Sequence, residues 1–161
     1  MQLGIIAVGQ MRSAGEMPLV EEFQQRIEAS GRQLGISGLS IIELREKRAL
    51  TGGDKKRSEN ALIADALVRR SGPLIVLDET GTSLTSRAFA DKLQGWIERG
   101  YSDVTFVIGG ADGLDDGIRA RADLVLSFGP MTWPHMLARV LLCEQLWRAI
   151  SILTRHPYHR D

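Results

Sequence analysis

The sequence predicts an α/β protein built on a mainly parallel sheet with helices on both faces. Three observations lead there. Apolar runs of strand length recur five times along 161 residues. Most are continuous rather than alternating, as strands covered on both faces require. Helical apolar patterns separate them, and strand–helix alternation is the mark of a parallel α/β sheet.

The predicted strands are "LGIIAV" (3–8), "LSIIEL" (39–44), "PLIVLD" (73–78), "VTFVI" (104–108) and "LVLSF" (124–128). The first helix follows Pro18, a good opening residue, with Leu19, Phe23 and Ile27 at every fourth position. A second carries Leu62, Ile63, Ala66 and Leu67 after Ser58, read as its N-cap. Phe89, Leu93, Trp96 and Ile97 form a third stripe, a short helix is expected after Leu114, and a long one over about 134–149. That last helix, "PHMLARVLLCEQLWRAI", is apolar almost all round. It therefore needs a covering layer from its own chain or from a partner subunit. Within it Glu144 and Arg148, four apart, are expected to pair, while His135 and Arg139 share a face near its start.

Length sets one domain over 1–161, large enough for a core. Twenty basic and twenty acidic residues cancel, which excludes a sequence-blind DNA coat but not a local basic patch. The stretch 45–57, "REKRALTGGDKKR", is such a concentration. It reads as an exposed, mobile connector or as a nucleic-acid contact. The single cysteine, Cys143, lies in an apolar run and is read as a buried, inert thiol. The first ten residues lack a basic leader, and no apolar run approaches the ~20 residues of a membrane span, so a cytoplasmic protein is expected. Three histidines and one cysteine offer no metal-ligand spacing.

Ligands of such sheets bind beyond the carboxyl ends of the strands. The first strand carries no G-x-G-x-x-G, and no phosphate-loop lysine pattern occurs. Glycines gather later, where three adjacent strand ends are expected to open into permissive loops: "LDETG" (77–81), "IGGADGLDDG" (108–117) and "SFGPMTWPH" (127–135). Gly109, Gly110 and Gly113 make a turn or let a ligand approach the backbone. The loop with Gly129, Met131 and Trp133 is a core plug or the wall for a flat, partly apolar ligand. The terminal "HPYHRD" is unusually rich in reactive side chains: a solvated end, or one tied down over something it touches.

The ordered set "MQLGIIAVG", "VIGGADGL", "LSFGPMTWPHMLARVLLCEQLWRA" and "HPYHRD" resembles the RlmH family of small knotted (SPOUT) methyltransferases, over nearly the whole chain and most strongly over 73–161. The resemblance implies a C-terminal deep trefoil knot, one of the rare exceptions to ordinary topology. It implies S-adenosylmethionine as cofactor, held by Leu77, Gly109, Gly110, Phe128, Gly129, Pro130, Met131, Thr132 and Trp133. It implies methylation at N3 of a pseudouridine in large-subunit (23S) ribosomal RNA on the assembled ribosome, and a homodimer joined through the long helix. On that basis His159, Tyr158 and Arg160 are the catalytic candidates, Arg155 and His156 are candidates for contacting RNA, and Arg139 either contacts RNA or closes the dimer. The tail is expected to lie across the knot beside the transferred methyl, in its own chain's site or in the partner's, which would make each site composite. The competing readings are a related knotted methyltransferase acting on transfer RNA or another base, and a non-catalytic ribosome-binding module of the same fold.

Overall fold

The central strands bury side chains on both of their faces, and this forces a layered arrangement. In a computed structural model, which describes residues 1–11 and 15–159, the strands are β1 (Gln2–Val8), β2 (Gly38–Leu44), β3 (Leu74–Ser83), β4 (Asp103–Ile108) and β5 (Leu124–Ser127). They form one sheet in the order β2-β1-β4-β3-β5, every pair parallel. The helices are α1 (Met17–Gly31), α2 (Gly52–Leu67), α3 (Ser86–Glu98), α4 (Asp116–Ala120) and α5 (His135–Leu153).

Leu3, Ile5 and Ala7 of β1 point one way, with Ile75 and Phe106, into a core closed by α1, α3 and α5. Ile6 and Val8 point the other way, with Val76 and Val107, toward Ile63 and Leu67 of α2 and Ile118 of α4. The two-residue alternation thus distributes a continuous apolar run over two cores. Phe106, on the central strand β4, meets the edges of Phe89 and Trp96, with ring centroids 6.2 and 6.4 Å away.

The fold class and the five strands are as the sequence predicts, but two segments differ. The run 77–81 is not a loop. β3 continues to Ser83, and its register against β5 shifts between Leu77 and Thr82. The cause is local: Asp78 Oδ1 accepts from both the amide and the hydroxyl of Thr80, at 2.9 and 2.6 Å, which bulges the strand without ending it. The basic stretch is also more ordered than its composition suggests. Only 45–51 is a connector, and α2 begins at Gly52 with Thr51 at its N-cap position. Ser58 is therefore not a cap but lies in the second turn, where it donates to Glu46 and receives Arg48.

After β5, on one edge of the sheet, the chain crosses the carboxyl ends of β3 and β4 and starts α5 beside the end of β1. His135 packs against Gly9 there; a Cβ on Gly9 would stand 3.1 Å from its Nε2. α5 then runs down the sheet between α1 and α3. Its near-uniform apolarity is thus largely explained by its own chain, although Leu137 stays 40% exposed. No described helix is long and apolar enough to cross a membrane.

Candidate functional site at the carboxyl edge of the sheet

Three chain segments meet above β3, β4 and β5 and enclose a cavity of about 650 Å³. One wall is the β3 bulge, Leu77 to Thr80; the floor is Ile108 to Leu114; the far wall is Phe128 to His135. Of the residues named from sequence, Leu77, Gly109, Gly110, Phe128, Gly129, Met131, Thr132 and Trp133 all line it. Pro130 does not; it is exposed on the outer side of its turn.

The backbone explains why glycines stand here. Gly129 has φ +105°, a conformation side-chain-bearing residues rarely adopt, and the Ser127 hydroxyl accepts its amide at 3.1 Å. Gly110 answers a different need. A Cβ there would lie 2.4 Å from Glu59 Oε2. The floor loop is pinned from below by Asn60, whose Oδ1 accepts the Asp115 amide at 2.9 Å, and Asp115 in turn caps α4 through the Ile118 amide at 2.8 Å.

Glu59 was not visible to sequence reasoning. It is 6% exposed, its Oε2 has no hydrogen-bond partner among the described residues, and its Oε1 is 3.9 Å from Lys55. Burial raises its pKa; Lys55 opposes this, while Asp112 and Glu46 add to it. Across the cavity, burial works to raise the Asp78 pKa, but bonds from Thr80 and the Arg119 guanidinium at 3.2 Å hold it below the usual range. His135, at the start of α5, has its pKa lowered by burial and then by Arg139 and Lys55, so it is neutral at pH 7.

Arg139, named from sequence as an RNA-contact candidate, is turned into the protein. It is 1% exposed, its Nη1 donates to Glu43 of β2, and its Nη2 donates to the Gly9 carbonyl at 3.0 Å. Glu43 also accepts the Met11 amide at 2.9 Å. A guanidinium taken out of water needs such partners, so Arg139 serves as a clamp that fastens the start of α5 to the ends of β1 and β2.

The tail is tied down, but not over this pocket. Arg155 adopts φ 56° after the last turn of α5, and the His156 amide donates back to Ser151 at 2.8 Å. His156 and Tyr158 then pack on Trp147, with centroids 5.1 and 5.6 Å away. Tyr158 donates to Glu144 at 2.9 Å and lies under the Arg148 guanidinium, 4.9 Å from its ring. Burial and that acceptor raise the Tyr158 pKa, so the phenol is protonated at neutral pH. Glu144 and Arg148 pair as predicted, and His159 Nδ1 is 3.5 Å from Arg148. His135 and Arg148 are thirteen residues apart on one helix, roughly 20 Å at 1.5 Å per residue. Within one chain the tail therefore does not reach the pocket, contrary to the arrangement across the knot expected from sequence. Arg155 and His156 are exposed, whereas Arg160 lies outside the described residues. Among the described residues no three His, Cys, Asp or Glu side chains group as metal ligands.

A family model described as a predicted SPOUT methyltransferase matches residues 1–159. The ribosomal RNA large subunit methyltransferases H of Rhodopseudomonas palustris and Dinoroseobacter shibae are 47% and 45% identical over 160 residues, covering 99% of each chain. Among solved structures, a probable methylase family protein from Haemophilus influenzae Rd KW20 superposes with a TM-score of 0.52 at 13% identity, covering 99% of this chain and 70% of that one, and shares the fold. Together with the crossing of the strand ends and the late glycine loops, these matches show that the chain belongs to the SPOUT methyltransferases, in the family of the ribosomal RNA large subunit methyltransferases H.

Proposed function

We propose that this protein transfers a methyl group from S-adenosylmethionine to N3 of a pseudouridine in large-subunit ribosomal RNA. The observation that carries this is the identity of 45–47% over essentially the full length of relatives that bear that ribosomal RNA name. The pocket suits the donor. Leu77, Ile108, Leu126 and Phe128 offer an apolar slot for a flat ring, and the backbone at Gly109–Gly110 and Gly129–Thr132 borders it. Apolar walls with a few fixed polar groups are what such ligands require.

The bound donor supplies a methyl on a positively charged sulfur, open to in-line attack. The protein's task is to hold the acceptor nitrogen at near-attack distance and to manage its proton. Tyr158, being protonated, acts as donor or stacking surface rather than as base. His159 and Arg160 complete the set that handles the acceptor base and its phosphate. Because one chain holds pocket and tail at opposite ends of α5, the working site is composite. Trp133, 43% exposed, borders a second apolar hollow lined by Leu84, Phe89 and Leu141, and a second copy of the chain covers this face. Its tail then enters the first chain's pocket. The single domain, 1–161, so acts as a homodimer on the ribosome, in the cytoplasm.

Labelled S-adenosylmethionine and ribosomes from a strain lacking this protein test the reaction. One methyl per large subunit on a pseudouridine N3 is expected; label on transfer RNA, or none, overturns it. Mixing tests the composite site. A chain truncated after Arg155 and a pocket variant, each inactive, regain activity together through mixed dimers; no recovery would confine the site to one chain.

A further inference from the structure

We propose that the connector 45–51 and the first two turns of α2 form a fixed basic ridge that docks the phosphate backbone of the ribosomal RNA beside the pocket mouth. This rests on the function proposed above and adds the surface that finds the substrate. Positions 45–57 hold six of the twenty basic residues and only two of the twenty acidic ones, so the rest of this neutral chain carries an excess of acid. The ridge is its positive pole.

The fold adds three facts. First, the ridge is ordered. Glu46 accepts from the Arg48 backbone and guanidinium at 2.8–3.1 Å and from Ser58, which straps the connector onto α2. These contacts pull the Glu46 carboxyl down to about 2, so the strap holds throughout the neutral range. A preformed surface loses less entropy on docking than a mobile loop. Second, the acids present are already engaged, Glu46 by Arg48 and Asp54 by Arg57. Arg45, Lys47 and Lys56 make no ion pair among the described residues, and Arg45 and Lys47 are exposed. Third, the ridge borders the site. Lys56 lines the cavity rim with Gly110 and Asp112, and Lys55 is 3.9 Å from Asp112 of the floor loop. A strand laid along the ridge thus delivers its next nucleotide to the donor. Clustered cations with released counterions are what sequence-blind phosphate binding needs.

The test neutralises Arg45→Ala, Lys47→Ala and Arg57→Ala together, leaving the pocket-lining Lys56 in place. A control, Lys92→Ala with Arg99→Ala, removes exposed charge from α3 and its C-terminal end. Circular dichroism and calorimetry with S-adenosylmethionine check that fold and donor binding are kept. Filter binding to ribosomes and to protein-free large-subunit RNA is then measured against salt. The triple variant is expected to bind both about tenfold more weakly, with the salt slope reduced by about 2 for three lost phosphate contacts. Its KM for ribosomes rises and its kcat stands; the control changes neither. Unchanged affinity and slope in the triple variant overturn the ridge, as does a loss on ribosomes but not on naked RNA, which would point to an acidic ribosomal protein. Wild type that binds ribosomes but transfers no methyl overturns the proposed reaction and leaves the ridge standing. Wild type that binds neither overturns both.

Discussion

Gly110 and Glu59 form a close pair beneath the cavity floor. A methyl group at 110 would have to displace a carboxylate 2.4 Å away that is itself buried. Gly110→Ala is therefore expected to cost about 1–3 kcal/mol of stability, the range for overpacking a filled site, and to weaken S-adenosylmethionine binding at least tenfold in calorimetry. Glu59 makes a second prediction, in pH. Burial raises its folded pKa above the ordinary carboxylate value, so the folded state holds a proton that the unfolded chain releases. Stability is then full below about pH 4.5 and declines as pH climbs through the folded pKa. Glu59→Gln removes that decline, and urea melts should show the variant gaining on wild type from pH 4.5 upward and matching it in acid. Identical pH profiles would mean that Glu59 is ionised at no cost. Arg139 belongs at this scale as well. Arg139→Ala leaves Glu43 half-exposed and without its cation, and a loss of about 3 kcal/mol is expected from denaturant midpoints.

At the scale of elements, α5 shows what sequence can and cannot reveal. Its length, its burial and the Glu144–Arg148 pair are legible because they depend on positions three and four apart. The Arg139–Glu43 pair spans 96 positions, and no local pattern announces it. The loops that line the cavity were readable for a related reason: glycine and tight-turning residues mark backbone demands that are local. β3 misled because Thr-Gly reads as a turn, and only the facing β5 backbone turns it into a bulge. α2 misled because Gly-Gly and dense charge hide a helix start. Cys143, read as inert, gives the element its own test. It is fully buried in α5 and burial pushes its thiol up to about 12. It should resist thiol reagents in the native protein and react at the rate of global unfolding; fast labelling at neutral pH would show that α5 opens locally.

For the whole molecule, the sheet order β2-β1-β4-β3-β5 joins strands far apart in sequence, and α5 packs against α1 across more than a hundred residues. Non-local pairing of this kind, with a terminus to be threaded, folds slowly. Refolding from denaturant should take seconds or longer, with far-UV signal recovering before native fluorescence of Trp147 beneath Tyr158.

The separation of donor cavity and terminal side chains along one 19-residue helix carries a kinetic signature. If catalysis needs two molecules, turnover per milligram is no longer constant but collapses on dilution below the association constant's reciprocal, and recovers when inactive donor-blind protein is added back as a carrier of tails. A cell making this protein sparingly would then regulate modification through mass action alone.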